Sequence, residues 1–141
     1  MGELYGVGIP EGWPSAELRD AFPIFVRQLE REPKSFGWGN WLAVQPGGQM
    51  LVGDVGFKGR PDRTGSVEIG YGIAPVYRRR GYALEAARGL LKWAFGHPEV
   101  KRVTAECDKD NTASIRVLEG LGMVRLHPVG NMLRWELWRP S

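Results

Sequence analysis

Apolar residues fall at two periods along this chain, and each change of period marks a new element. In "SVEIGYGI", Val67, Ile69, Tyr71 and Ile73 alternate with Glu68, Gly70 and Gly72, so a strand there has one apolar face and one bare or acidic face. "RVTAECD" alternates in the same way, with Val103, Ala105 and Cys107 opposite Thr104, Glu106 and Asp108. "WLAVQPGGQMLVGDVGF" reads as two apolar runs joined by Pro46, Gly47 and Gly48, a hairpin signal. The period lengthens in "YALEAARGLLKWAF". There Ala83, Ala86, Ala87, Leu90, Leu91 and Ala94 recur at helical spacing. The stripe is rich in small residues, which predicts close packing on a sheet, while Glu85, Arg88 and Lys92 fall on the solvent side.

Three further segments complete the order. "NTASIRVLEGLG" predicts a second helix, with Asn111 or Thr112 as its cap and Gly122 just past its end. "MVRLHPVGNMLRWELW" predicts two strands around residues 128–131. Nearer the start, Leu18, Phe22, Phe25 and Leu29 have helical spacing behind Ser15, with Pro23 as an interruption. The expected order is helix, three antiparallel strands, helix, strand, helix, two strands. This is an α+β domain covering residues 1–141, with a mixed, mostly antiparallel central sheet flanked by helices.

Composition narrows the class without naming a function. A chain of 141 residues, 43% hydrophobic and 25% charged, suits one ordinary globular core. No apolar run approaches a membrane span, and "MGELYGVGIPEGWP" has neither the basic start nor the apolar centre of a signal peptide. Cys107, the one cysteine, has no partner for an internal disulfide and makes no cysteine metal site, so a reducing, cytoplasmic setting without metal is expected. The net charge of +3 is mildly basic, and acids are spread along the whole chain. An anionic ligand suits that balance, whereas a nucleic-acid partner is not expected, because neither a basic face nor a basic-aromatic stacking motif appears.

The densest positive charge lies in "YRRRGYALEAARG", between a strand end and a helix start. A helix N-terminus presents unbonded N–H groups and the positive end of the helix dipole. A glycine lets a ligand approach that backbone, and Arg78, Arg79 and Arg80 add charge, so a compact di- or triphosphate-like group fits. The plain alternative is a solvated basic loop. Neither Gly-Lys-Ser/Thr nor G-x-G-x-x-G occurs here, so the common nucleotide loops are excluded.

Arg78-Arg79-Arg80-Gly81-Tyr82-Ala83 resembles the Arg/Gln-x-x-Gly-x-Gly/Ala signature of the GNAT superfamily, the acetyl-CoA-dependent N-acetyltransferases. Asp108 to Arg125, "DKDNTASIRVLEGLGMVR", resembles a second stretch of that family, and the nearest subgroup by motif is that of the ribosomal-protein alanine N-acetyltransferases. The likeness runs from about Trp38 onward. It implies a GNAT-like sheet whose first strand, around Leu4 to Val7, is short or missing. It also implies acetyl-CoA as cosubstrate and an amine acceptor, either a small molecule or a peptide N-terminus, reached by direct transfer in a ternary complex. A homodimer is left open. A CoA-binding module or sensor without catalysis is the alternative.

The resemblance also distributes roles. Backbone N–H groups from Arg79 through Gly81 and Tyr82 to Ala83 would hold the pyrophosphate, with Arg78 and Arg80 adding charge. The strand end at Ile73 and Ala74, continuous with Tyr71, would run beside the pantetheine arm, where glycines at 70 and 72 leave room. Glu68, on the glycine-bearing face, is the candidate base; its other reading is a surface or ion-paired carboxylate. Asn111 and Ser114 would lie near the arm and the thiol, with Ser114 as a proton donor to the leaving thiolate and Asn111 also a helix cap. His127 reads as a polar turn residue, Cys107 as a small buried hydrophobe, and Tyr82 as packing at the helix start. Trp38, Trp41, Trp135 and Trp138 read as core or rim.

Overall fold

The computed structural model describes residues 2–4, 7–9, 37–44, 50–73, 78 and 81–140. Six strands form the main sheet: β3 (Asn40–Val44), β4 (Leu51–Phe57), β5 (Ser66–Ile73), β6 (Arg102–Asp108), β7 (Val124–Arg125) and β8 (Met132–Trp138). Their order across the sheet is β3-β4-β5-β6-β8-β7. All neighbours are antiparallel except β5 and β6, so the sheet is mixed, as the pattern predicts. The chain between β5 and β6 holds α1 (Tyr82–Phe95), and α2 (Thr112–Gly120) follows β6. A parallel pair needs a crossover of this kind. The start of the chain makes a separate two-stranded hairpin, β1 (Gly2–Leu4) with β2 (Val7–Ile9), rather than a strand of the main sheet. The helix expected between Ser15 and Leu29 lies outside the described residues.

Both helices cover one face of the sheet. The stripe of α1 buries Ala87, Leu90, Leu91 and Ala94, and α2 buries Leu118, all in one cluster with Val55, Phe57, Val67, Ile69, Val103 and Ala105. Each aliphatic side chain of leucine or valine size removed from water there contributes about 1.5–3 kcal/mol. Small residues let α1 sit close to the strands, and Ala87 and Ala94 have no exposed surface at all. Cys107 is buried in the same cluster, and Asn111 caps α2 by accepting a hydrogen bond from the Ser114 N–H at 3.1 Å. Gly122, at φ +83°, follows α2 in the left-handed conformation expected of it.

Two features anchor the far end of α1. Arg139 donates to the carbonyl of Phe95, an acceptor that the helix C-terminus leaves open, at 2.8 Å, to that of Val100 at 2.8 Å and to that of His97 in the loop that follows. Trp38, Phe57, Trp93 and His97 stack beside it, with Trp38 and Trp93 centroids 4.7 Å apart. The tryptophans therefore divide. Trp38 and Trp135 are core residues, while Trp41 and Trp138 are exposed.

Candidate active site

The sheet opens along β5. The parallel ladder with β6 consists of Ser66 with Arg102, Val67 with Val103, and Glu68 with Thr104. Beyond Glu68, β5 pairs instead with β4, from Ile69 opposite Phe57 to Ile73 opposite Gly53. β6 instead continues to Asp108 in the company of β8. The two halves of the sheet thus part after Glu68 and Thr104. One wall of the resulting wedge is residues 69–73, and the other is residues 105–108. Groups on these inner edges have no ladder partner, which leaves donors and acceptors for an extended ligand.

On the helix face, three elements meet at the mouth of the wedge. Gly81 precedes α1 at φ +81°, a conformation that favours glycine, and its carbonyl accepts the first helical bond from the Glu85 N–H at 3.0 Å. A Cβ added at Gly81 would meet no atom of the described residues within 4 Å. Among the described residues no side chain caps this end, in contrast to α2. Arg78 folds back and donates from Nε to the Ile73 carbonyl at 3.0 Å, which holds its guanidinium at the end of β5. Tyr82 packs with Ile73 against Val52, and Ala83 is half-buried in the first turn of α1.

Tyr71 reaches across to α2, its hydroxyl donating to the Ser114 carbonyl at 3.4 Å. Burial pushes the Tyr71 phenol up from its ordinary value, partly countered by the Ser114 side chain, so it is held neutral. Of the predicted residues, Ile73 and Tyr82 pack together, Arg78 bonds to the end of β5, Gly81 and Ala83 stand at the start of α1, and Asn111 and Ser114 stand at the start of α2. Ala74, Arg79 and Arg80 lie outside the described residues.

The opposite face carries Glu68, Gly70 and Gly72. Glu68 pairs with Lys58 at 2.5 Å, with the carboxylate side chain 27% and the lysine side chain 63% exposed. The candidate base is thus also the ion-paired carboxylate of its other reading. Among the described residues a Cβ on Gly70 would find only the Lys58 Cε, at 4.0 Å. Gly72 lies under Asp54, whose Oδ1 would be 3.0 Å from an added Cβ. Asp54 is 8% exposed and is a residue that periodicity passed over; its signal was an acid inside the apolar run "LVGDVGF". His127 is exposed in the loop before β8.

A separate apolar cleft of about 390 Å³ lies on the flank of α1 nearer β3, lined by Trp41, Val52, Tyr82, Gly89 and Trp93. Among the described residues its walls carry one charged group, Glu85.

Residues 5–124 match the family model of the acetyltransferase (GNAT) domain. The chain belongs to the GNAT acetyltransferases. Membership makes it an acetyl-CoA-dependent acyltransferase that acts on amines. A GNAT relative from Bacillus subtilis, the uncharacterized N-acetyltransferase YjdG, is 36% identical over 123 residues, which is 87% of this chain and 73% of the relative. The acetyltransferase (GNAT family) from Bacillus anthracis is 31% identical with a TM-score of 0.64, covering 77% of this chain and 71% of that one. Spermidine N-acetyltransferase from Vibrio cholerae, in complex with CoA and spermine, has a TM-score of 0.67 at 16% identity, covering 81% and 73%. At that identity the likeness is one of GNAT fold. The described residues hold no group of three or more potential metal ligands and no helix long and apolar enough to cross a membrane.

Proposed function

We propose that this GNAT protein transfers acetyl directly to a primary amine, with the cosubstrate arm in the wedge and the amine arriving from the opposite face. The observation that carries this reading is the end of the β5–β6 ladder at Glu68 and Thr104, with an open helix N-terminus on one face and a carboxylate on the other. The residues present fit the cosubstrate. Among the described residues nothing covers Gly81, its neighbouring N–H groups would hold a pyrophosphate, and Arg78, with Arg79 and Arg80, would add charge. Bound acetyl-CoA supplies an activated acetyl thioester.

The chain's own groups do the rest. Backbone N–H and C=O groups of residues 69–73 orient an amide-bearing arm and polarise a carbonyl. Glu68 accepts a proton from the incoming ammonium, directly or through one water. Ser114, half-buried in the first turn of α2, donates a proton to the departing sulfur. The acceptor is a small-molecule amine or a peptide N-terminus, and the setting is the reducing cytoplasm, where Cys107 stays a thiol.

The test is a thermal melt with and without acetyl-CoA, followed by an amine-acceptor screen. A ligand at about 100 times its dissociation constant adds roughly 2.7 kcal/mol of stability, a clear rise in midpoint. Changing Arg78 and Arg80 to Ala should weaken that rise. Glu68→Gln should keep the rise and lower transfer by about 10²–10⁴-fold. A rise without turnover on any amine would leave a CoA-binding module. Unchanged turnover in Glu68→Gln would remove Glu68 from the role of base.

A further inference from the structure

We propose that Lys58 is an acetylation site of the protein itself, with Glu68 as the base that prepares it. The inference rests on the transfer reading above and adds a substrate to it. Lys58 follows β4, and its N–H donates to the Glu68 carbonyl at 3.0 Å, which extends the β4–β5 ladder by one step. Their side chains therefore stand side by side on the face away from the helices. The lysine does not point straight out from its register position. Its Cε lies 4.0 Å from where a Gly70 Cβ would be, so the stem leans along the strand toward the wedge. Gly70 is two residues past the last β5–β6 pair, within the wedge wall.

The amine thus sits against Glu68, the last β5 residue paired with β6 and the carboxylate proposed to deprotonate acceptors, with its stem over Gly70. It is 63% exposed, so it can turn toward the opening. No other described lysine is placed this way. Lys101 gives its ammonium to the Pro98 carbonyl, Lys92 is exposed on α1, and Lys109 is exposed beyond β6.

The step balances. Glu68 takes one proton from the Lys58 ammonium. The freed lone pair of Nζ forms a bond to the acetyl carbonyl carbon of acetyl-CoA, and the carbon–sulfur bond breaks with its electron pair on sulfur. The sulfur takes up one proton to become the CoA thiol, the new amide nitrogen gives up its second proton, and one proton in all is released to solvent. Acetyl-Lys58 carries no charge and no longer pairs with Glu68, so the carboxylate is freed for an external amine.

The experiment uses the intact protein and acetyl-CoA with no acceptor, followed by peptide mass mapping over time. Lys58 should acquire acetyl faster than exposed Lys92 and Lys109, on the order of tenfold or more, because it is held beside its base. Glu68→Gln should bring Lys58 down to the rate of those two lysines, whereas direct chemical acetylation by the thioester would ignore the change. A second readout needs no turnover. In the protein alone, the ¹⁵N signal of the Lys58 ammonium should move on Glu68→Gln, and an unmoved signal would overturn the pairing. The same protein is melted with acetyl-CoA. A raised midpoint with Lys58 labelled no faster than Lys92 would overturn the proposal and leave the transfer reading standing. No rise in midpoint would overturn both.

Discussion

Residues 66–68 and residues 69–73 belong to one strand and one alternation of side chains, but they have different neighbours. The first group forms the ladder with β6, its other edge is closed by the Lys58 N–H on the Glu68 carbonyl and the Asp62 N–H on the Ser66 carbonyl, and Val67 packs in the core with α1. The second is paired on one side only and carries both glycines of the strand, at 70 and 72. Burial continues smoothly from Val67 to Ile69 and on to Tyr71, so the faces of the strand do not distinguish its halves. Its edges do. The closed half contributes stability through packing, the β6 ladder and the backbone bonds from Asp62 and Lys58, and the open half leaves one backbone edge for a ligand. A single strand can serve both purposes because side chains and hydrogen-bonding groups point in perpendicular directions.

Substitutions can break or sharpen this contrast. The largest effect is expected from Gly53→Ala, opposite the open half. Its Cβ would lie 2.1 Å from the Gly72 carbonyl oxygen and 2.9 Å from the Ile73 Cα, both backbone atoms that no rotamer change can move. A loss of about 3 kcal/mol or more is expected in urea unfolding, together with a smaller midpoint rise on adding acetyl-CoA. A near wild-type midpoint would show that β4 and β5 can separate there without cost.

Val103→Ala tests the closed half. Val103 has no exposed surface and faces Val67 across the parallel ladder, so about 2 kcal/mol should be lost. The acetyl-CoA rise should stay at its wild-type size, and a diminished rise would mean that the halves are not separable.

Tyr71→Phe acts on the span across the wedge. Losing the bond to the Ser114 carbonyl should cost about 0.5–1 kcal/mol near neutral pH. The pH dependence has a definite sign. Burial raises the Tyr71 phenol above its unfolded value, so its contribution is full below about pH 10 and declines as pH rises through the folded value. Urea midpoints should therefore fall at alkaline pH in the wild type, and less steeply in Tyr71→Phe.

The smallest effect concerns the turn entering the closed half. Asp62 accepts from the Thr64 hydroxyl at 2.7 Å, the Thr64 N–H at 2.8 Å and the Ser66 N–H at 3.0 Å. These bonds, the Thr64 hydroxyl first, hold its carboxyl below the usual carboxylate range. Its contribution is present above the unfolded value, near pH 4, and is lost as pH falls through the lowered folded value. Asp62→Asn should flatten the acid limb of stability slightly, and an unchanged limb would remove this turn from the account.

Local periodicity carried most of the fold. The stripe of α1, the alternation of β5 and β6, the Asn111 cap and Gly122 need only neighbours within a turn or a strand, and each forms as its pattern requires. The parting of β5 from β6 depends on where two distant strands stop pairing, and nothing in "SVEIGYGI" marks Glu68 as the last paired residue. The place of Lys58 beside Glu68 needs the register of β4 on β5, which alternation alone leaves free by steps of two residues. Arg78 could be read as charge, but its bond to the Ile73 carbonyl could not, because it depends on how the loop turns back. Asp54 was visible as an anomaly, and its position over Gly72 appeared only with the ladder.

The strand order has a consequence for the nascent chain. β8 lies between β6 and β7, although the ribosome makes both of those first. Until residues 132–138 emerge, β6 presents its partner edge to whatever else is near. An apolar edge in that position invites pairing with another unfinished chain. Glu106 and Asp108, which lie opposite Arg134 and Met132 in the finished sheet, place negative charge along that waiting edge. Residues that solvate the surface of the completed enzyme thus act earlier as guards, keeping the gap open for the strand that belongs there.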